Sequence, residues 1–208
     1  MAQAGPEAGL TVAELLVVVS LLAIFLPTAF MMVTSMQRQQ ATNSARLEAL
    51  GQAQLIVDRL TRDVRAAVAP TSTSAAFAAA DGNDITFYAD LQDPNGPTRV
   101  HAYTVAGTSP ELRFELTPPD PPPASAPGNW VYTGPPQAQL SAAIDASAPV
   151  FAFYGRDGAA QATPITSVAG LRSIDGVGIN LTTRVRAGAP PTVIQTVVHV
   201  RNVDYNPA

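Results

Sequence analysis

The sequence contains no cysteine, no lysine and only two histidines, His101 and His199. The lack of cysteine excludes disulfide bonds, thiolate nucleophiles and thiolate metal ligands. Charged residues make up 13% of the chain and the net charge is −4, whereas the usual charged share is roughly 25%. This balance argues against DNA binding through phosphate contacts, so we expect no nucleic-acid partner. Hydrophobic residues make up 47% of the chain, which argues against a disordered polyelectrolyte.

The sequence also lacks the common catalytic and cofactor-binding motifs. It has no phosphate-binding loop, no dinucleotide-binding fingerprint and no G-x-S-x-G nucleophile turn. His101 and His199 fall in strand-like segments without a ligand-spaced partner, so we predict ordinary strand histidines. Residues 81–84 and 90–95 carry clustered oxygen side chains without full EF-hand spacing, which favours turns over a calcium site. We therefore expect no enzyme activity, no cofactor and no metal.

The most informative segment is an uncharged apolar run at residues 15–33. Its 19 residues approach the roughly 20 that a helix needs to cross a bilayer. A cleaved secretory signal is disfavoured because no Lys or Arg precedes the run and the run is too long. A buried core helix is disfavoured because such helices are rarely apolar on every face. The run therefore predicts a membrane-anchoring helix with a kink at Pro27, where the Thr28 hydroxyl is expected to satisfy the freed carbonyl.

An acidic residue, Glu14, stands directly before this run. An ionisable group at the membrane edge faces a desolvation cost, so its surroundings matter. Two interpretations of its side chain remain open. It is either an interfacial acid facing water or an acid whose partner is supplied by another chain.

Residues 9–16, Gly-Leu-Thr-Val-Ala-Glu-Leu-Leu, together with the apolar run resemble the cleavage and methylation signal of type IV pilins and pseudopilins. The resemblance implies that the membrane-bound prepilin peptidase cuts between Gly9 and Leu10, and that Leu10 becomes the N-methylated first residue. It also implies that Thr11 and Glu14 serve subunit assembly. The chain departs from the family pattern in having Leu10 where Phe is usual and in lacking Lys or Arg in its leader.

In a filament of such subunits, the hydrophobic helices pack together in a central core. A buried carboxylate in that core needs a hydrogen-bonded partner. The amine that cleavage creates on a neighbouring chain would supply this partner for Glu14. We expect such a pair to fix the axial register of the subunits.

Beyond the apolar run, the pattern predicts that the same helix continues to about residue 69. Two i,i+4 ion pairs are expected on its polar face, Asp58 with Arg62 and Arg59 with Asp63. Residues 60–67 resemble the same region of J-type pseudopilins of type II secretion and PilW-type minor pilins. The apolar residues follow helical spacing on one face; they are Leu47, Leu50, Val57, Leu60, Val64 and Val68.

After residue 80 the apolar residues alternate, which predicts β-strands. The predicted strands cover residues 84–90, 99–105, 112–116, 129–133, 150–154, 174–186 and 192–202. The first three are expected to form an antiparallel meander, and the Pro-rich residues 118–127 an exposed loop. Trp130, Tyr132 and Tyr154 fit two interpretations: a sugar-binding or adhesive surface, or aromatic residues of a sheet core.

Together these patterns predict an α+β fold in which a long amino-terminal helix packs by its second half on an antiparallel sheet. The predicted divisions are a leader (1–9), a transmembrane and filament-core helix (10–34), its amphipathic continuation (35–69) and a β-rich globular domain (70–208).

The resemblance implies a minor pilin or pseudopilin that enters the cytoplasmic membrane as a single-pass precursor and then joins a cell-surface filament, priming its assembly or sitting at its tip. The expected partners are other pilin or pseudopilin subunits, the prepilin peptidase, the inner-membrane assembly platform and, before assembly, membrane lipid.

Two other classes of protein stay open. A membrane-tethered extracytoplasmic binding or adhesion domain would not polymerise; it predicts that Gly9 is not cleaved and that Glu14 is dispensable. A tethered hydrolase would need a cleft in which His199 meets a carboxylate.

Overall fold

The computed structural model describes residues 11–121, 130–183 and 191–200. The chain divides into two compact units, residues up to Ala45 and residues from Arg46 onward. One helix, α1 (Val12–Arg65), begins in the first unit and ends in the second. The other elements are, in chain order, β1 (Phe77–Asp81), β2 (Asp84–Ala89), β3 (Thr98–Val105), β4 (Glu111–Thr117), β5 (Gln137–Ala143), β6 (Phe151–Gly155), β7 (Ala160–Gln161), α2 (Val168–Arg172), β8 (Ile174–Thr183) and β9 (Thr192–His199).

The helix α1 confirms the prediction of one continuous amino-terminal helix. It ends at Arg65, short of the predicted end near residue 69. The reason is that the backbone after Arg65 bonds to β2 and the residue that follows it. The N–H of Val68 donates to the carbonyl of Tyr88 at 2.9 Å, and the N–H of Asp90 donates to the carbonyl of Ala66 at 2.9 Å.

The predicted meander is confirmed as the centre of a five-stranded antiparallel sheet with strand order β1-β2-β3-β4-β5. Alternate residues of its three central strands point into the core, as the period of two requires. These buried residues are Ile85, Phe87, Ala89, Val100, Ala102, Leu112, Phe114 and Leu116. Most of the residues between them are more exposed and form the outer face of the sheet.

Both edge strands of this sheet, β1 and β5, escape prediction from the sequence. Their sequences, Phe-Ala-Ala-Ala-Asp and Gln-Ala-Gln-Leu-Ser-Ala-Ala, are rich in alanine, which has a low β-propensity. Strand pairing decides their conformation instead. The strand β1 closes a tight hairpin on β2, with Asp81 opposite Asp84, and β5 pairs along β4.

The strand predicted over residues 129–133 is wrong, because its described part forms no strand. The polar groups of this part bond to loops instead of to a neighbouring strand. Tyr132 donates its hydroxyl to the carbonyl of Pro97 at 2.7 Å. Thr133 donates its N–H and its hydroxyl to Asp120, at 3.0 and 2.6 Å.

The carboxyl-terminal strands form a second antiparallel sheet of four strands, with order β7-β6-β8-β9. The single predicted sheet is therefore two sheets. The predicted burial of alternate residues in β8 is confirmed, since Val177, Ile179 and Leu181 are fully buried. Predicted segments that lie wholly or partly outside the described residues are the Pro-rich loop at 118–127 and the strand ends at 184–186 and 201–202.

One hydrophobic core joins the second part of α1 to residues of both sheets. Ile56, Leu60 and Val64 are completely buried on one helix face. Leu47 was predicted on the same face, but its side chain is 70% exposed. The spacing of apolar residues finds the face of a helix and not the point where that face leaves the core. The core also contains the largest buried aromatic side chains, Phe77, Phe87, Phe114 and Phe153.

Replacing Leu60 by Ala is expected to lower the free energy of unfolding of the full chain in detergent by about 2–5 kcal/mol, because a buried side chain is lost and a cavity is left. Leu47→Ala is the matched control on the exposed part of the helix and is expected to change it by less than about 0.5 kcal/mol. Denaturant unfolding followed by circular dichroism measures both values. Equal losses for the two variants would contradict the assigned helix face.

Candidate functional site

The helix α1 begins with a reciprocal hydrogen-bonded turn between Thr11 and Glu14. Thr11 donates its backbone N–H and its hydroxyl to Oε2 of Glu14, at 2.9 and 3.0 Å. Glu14 returns its own N–H to Oγ1 of Thr11 at 3.3 Å. This arrangement is a capping box, which satisfies backbone groups that a helix leaves unpaired at its amino end.

The sequence carries a signal for this turn that the resemblance to pilins does not use. Thr-x-x-Glu before an apolar run is the capping-box pattern, whereas the resemblance assigns Thr11 and Glu14 to subunit assembly. The structure gives Glu14 a partner within its own chain and leaves both residues exposed. Pairing of Glu14 with the amine of a neighbouring chain stays a prediction. The predicted processing residues, Gly9 and Leu10, lie outside the described residues.

Beyond this cap, α1 presents apolar side chains on every side. The large hydrophobic side chains from Val12 to Met36 are between 47% and 77% exposed. The helix is long and apolar enough to cross a membrane, because at about 1.5 Å per residue the run at 15–33 covers about 28 Å of a bilayer core that is about 30 Å thick. Such a surface is unfavourable in water and calls for lipid or other apolar helices around it.

The hydroxyl groups in this run, and that of Thr34 directly after it, bond to the helix itself. Ser20 donates to the carbonyl of Leu16 at 2.7 Å, and Thr34 donates to the carbonyl of Met31 at 3.0 Å. A hydroxyl satisfied in this way needs no water. The polar side chains of the run are therefore compatible with apolar surroundings.

Pro27 lies inside α1 without ending it. Because proline has no N–H, the carbonyl of Ala23 loses its helical donor. The Thr28 hydroxyl was predicted to replace that donor, but it bonds to the carbonyls of Phe25 and Ile24, at 2.8 and 3.2 Å. The prediction is wrong because a threonine side chain reaches back three or four residues, which from position 28 does not include 23. The kink at Pro27 stays a prediction.

Each of the two histidines lies beside a carboxylate. Nε2 of His101 is 3.2 Å from Oδ2 of Asp84, and its ring stacks on Tyr103 with 4.4 Å between the ring centroids. Nδ1 of His199 is 3.5 Å from Oδ2 of Asp175, with the histidine side chain 77% exposed. The hydrolase alternative needs a cleft around His199, and this exposure places the residue on an open surface instead.

The two oxygen-rich segments of the sequence are turns, as predicted. Residues 81–84 form the hairpin between β1 and β2, in which Asp81 accepts the N–H of Gly82 at 2.7 Å. Residues 90–95 belong to the loop between β2 and β3. Within the described part of the chain, no three His, Asp or Glu side chains are grouped as a metal site.

The three aromatic residues considered for an adhesive surface or a sheet core lie in different places. Tyr154 belongs to β6 of the four-stranded sheet. Tyr132 packs beside Tyr88 of the five-stranded sheet, with 5.5 Å between the ring centroids, and Trp130 packs over Gly96. Neither interpretation describes all three residues.

A buried acid on α1 is a feature that spacing alone does not reveal. Arg59 donates from Nε to Oδ2 of Asp63 at 3.0 Å, which confirms this one of the two expected i,i+4 ion pairs. Asp63 is only 1% exposed, and its Oδ1 is buried without a hydrogen-bond partner among the described residues. A carboxylate in this position costs free energy unless it is paired, and the ion pair with Arg59 offsets part of that cost.

Asp120, in the loop after β4, is hydrogen-bonded to residues 131–133, and we call this set of hydrogen bonds the Asp120 brace. The N–H of Asp120 donates to the carbonyl of Val131 at 2.8 Å. The N–H and the hydroxyl of Thr133 both donate to Oδ2 of Asp120, at 3.0 and 2.6 Å. Because these donors favour the ionised carboxylate, they hold the pKa of Asp120 below its ordinary value of 3.8.

Replacing Thr11 by Ala is expected to destabilise the amino end of α1 by about 0.5–2 kcal/mol, because the capping hydroxyl is lost. Thr11→Ser keeps the hydroxyl and serves as the matched control. Hydrogen exchange of the amides at residues 12–15, measured on the full chain in detergent micelles, should be faster in the Ala variant than in the Ser variant. Indistinguishable exchange in the two variants would argue against the cap.

The brace at Asp120 predicts a pH dependence. Because folding lowers the pKa of Asp120, its contribution to stability is present above the unfolded pKa and is lost as the pH falls through the folded pKa. Replacing Thr133 by Val removes the hydroxyl donor and is expected to raise the pKa of Asp120 toward 3.8. Thr108→Val, in an exposed turn, should leave it unchanged. A carboxyl ¹³C titration by NMR measures the pKa of Asp120 in both variants. An unchanged pKa of Asp120 in Thr133→Val would disprove the brace.

No protein-family model, curated protein or solved structure matches this chain. The likeness to type IV pilins therefore rests on residues of the chain itself, above all residues 9–16. The structure adds an α+β arrangement in which a long amino-terminal helix packs against antiparallel sheets.

Proposed function

We propose that this protein is a structural, non-enzymatic subunit of a type IV pilus or of a type II secretion-like filament. The observation that carries the proposal is the first half of α1, which is capped at Thr11 and whose large hydrophobic side chains from Val12 to Met36 are exposed on every side. A surface of this kind has two stable environments, a lipid bilayer and a bundle of similar helices. A filament subunit uses both, first as a membrane precursor and then in the filament core.

The signal at residues 9–16 supports this order of events. The prepilin peptidase cuts after Gly9, Leu10 becomes the methylated amino terminus, and the amine of an incoming subunit meets Glu14 of its neighbour. In the isolated chain Thr11 occupies the Glu14 carboxylate through two hydrogen bonds to the same oxygen. The neighbour's amine therefore binds beside the cap or replaces it.

The likeness of residues 60–67 to J-type pseudopilins and PilW-type minor pilins supports a minor subunit. Such a subunit primes assembly or sits at the filament tip. Its partners are other pilin or pseudopilin subunits and the inner-membrane assembly platform, with membrane lipid around the helix before assembly. The protein is then a single-pass protein of the cytoplasmic membrane that ends on the cell surface.

The mature amino terminus tests the processing step. Mass spectrometry of the native protein is expected to find N-methylated Leu10 as the first residue. Gly9→Ala is expected to retain the intact leader, because the signal that residues 9–16 resemble has glycine itself before the cut. Gly5→Ala, in the same leader, is the matched control and should be processed normally. An intact leader on the native protein would sink the proposal and favour a membrane-tethered binding domain.

Assembly is tested separately by Glu14→Gln, which keeps the size of the side chain and removes its charge. The variant should be cleaved at Gly9 but lost from the sheared cell-surface fraction. Glu48→Gln, at an exposed position on the same helix, should assemble as the native protein does. Normal assembly of Glu14→Gln would show that the proposed charge pair is dispensable.

A further inference from the structure

A small pocket opens on the globular unit beside the five-stranded sheet, and we name it the Trp130 pocket. Its volume is about 170 Å³, below the roughly 300–1,000 Å³ of pockets for drug-sized ligands. It therefore has room for one side-chain-sized group. The lining residues are Val68, Ala69, Asp90, Asp93, Gly96, Pro97 and Trp130.

The apolar wall of the pocket is fixed by the end of α1. Val68 and Ala69 follow the helix and are almost fully buried, at 5% and 8% exposure. The N–H of Val68 is held by the carbonyl of Tyr88 at 2.9 Å. The apolar side of the pocket is therefore buried, and one of its residues is hydrogen-bonded to the sheet.

The aromatic wall depends on a glycine. The backbone of Gly96 has φ +129°, and a Cβ at this position would lie 1.8 Å from Nε1 of Trp130. The left-handed backbone and the missing side chain therefore allow the indole to pack directly on the loop between β2 and β3. Trp130 is the only tryptophan of the chain.

The third wall is acidic. Oδ1 of Asp90 accepts the N–H of Gln92 at 3.1 Å, and Oδ1 of Asp93 accepts the N–H of Asn95 at 2.9 Å. Neither carboxylate forms an ion pair with any Arg or His in the described part of the chain. Two negative charges thus border a pocket whose other walls are an indole and aliphatic side chains.

We infer that the Trp130 pocket binds an alkyl cation, that is, an ammonium or guanidinium group on an aliphatic stem. The carboxylates of Asp90 and Asp93 would receive the charged head through charge-assisted hydrogen bonds. The indole of Trp130 attracts a cation through its ring, and Val68 and Ala69 pack against the stem. A neutral or anionic ligand of the same size would leave both carboxylates without a counter-charge. The inference does not depend on the proposed filament function.

Fluorescence of Trp130 reports binding directly, because no other tryptophan contributes. The full chain in non-ionic detergent is titrated with n-butylguanidinium and n-butylammonium, with 1-butanol as the neutral control of similar shape. The cations are expected to give a saturable change that weakens as salt is added, and 1-butanol is expected to give none. No saturable change with either cation, or the same change with 1-butanol, would overturn the inference.

Asp90→Asn and Asp93→Asn test the acidic wall. Each variant removes a charge but keeps an amide oxygen that can accept the same backbone N–H, so the loop is retained. Each should weaken cation binding by about ten- to a hundredfold, as expected for the loss of a hydrogen bond to a charged group. Asp157→Asn is the matched control, since Asp157 accepts the N–H of Ala159 at 3.0 Å in an unrelated turn. Unchanged affinity in both pocket variants, with native circular dichroism, would refute the assigned site.

Two further probes identify where the cation comes from. Cadaverine represents a free alkyl diamine, and the blocked tripeptide Gly-Arg-Gly represents a basic side chain of a partner protein. Tighter binding of either probe than of 1-butanol supports the pocket, and the tighter of the two names the source. Binding of glucose that excludes n-butylguanidinium would overturn the assignment in favour of a sugar site.

Discussion

The two sheets of the globular unit depend on one buried helix face, the face of α1 that carries Ile56, Leu60 and Val64. A sheet with one apolar face needs another layer to cover it. Here Phe87 of the five-stranded sheet and Ile179 of the four-stranded sheet belong to the same core as that helix face. The helical spacing in this part of the sequence and the period of two in the strands therefore place apolar side chains into the same core.

The first half of the same helix is long and apolar enough to cross a membrane. No charged residue occurs between Glu14 and Arg38, and the hydroxyls of Ser20 and Thr34 bond to the helix backbone. Hydroxyls satisfied in this way need no water, which is what a helix in lipid or in a helical bundle requires. The capping box at Thr11 likewise satisfies backbone N–H groups at the amino end, where these groups lack partners within the helix.

Periodicity predicted the elements in which large apolar side chains recur at the spacing of a helix or a strand. The helix α1, the central meander and the alternation of Val177 and Leu181 in β8 belong to this class. Alanine-rich β1 and β5 do not, because alanine gives no period and their conformation comes from pairing with β2 and β4. The burial of Asp63 could not be predicted either, because the sequence shows its spacing from Arg59 but not which residues pack over its side chain. The prediction for Thr28 failed for a geometric reason, because its hydroxyl reaches only the carbonyls three and four residues earlier.

The Trp130 pocket differs from the other acidic sites described above in how few partners its carboxylates have. In a chain with only 13% charged residues, Asp63 is held by Arg59 and Asp120 by the two donors of Thr133. Asp90 and Asp93 each accept one backbone N–H, which leaves most of the hydrogen-bonding capacity of their carboxylates unused among the described residues. A cation in this pocket would meet both carboxylates and an indole whose packing requires a glycine at position 96.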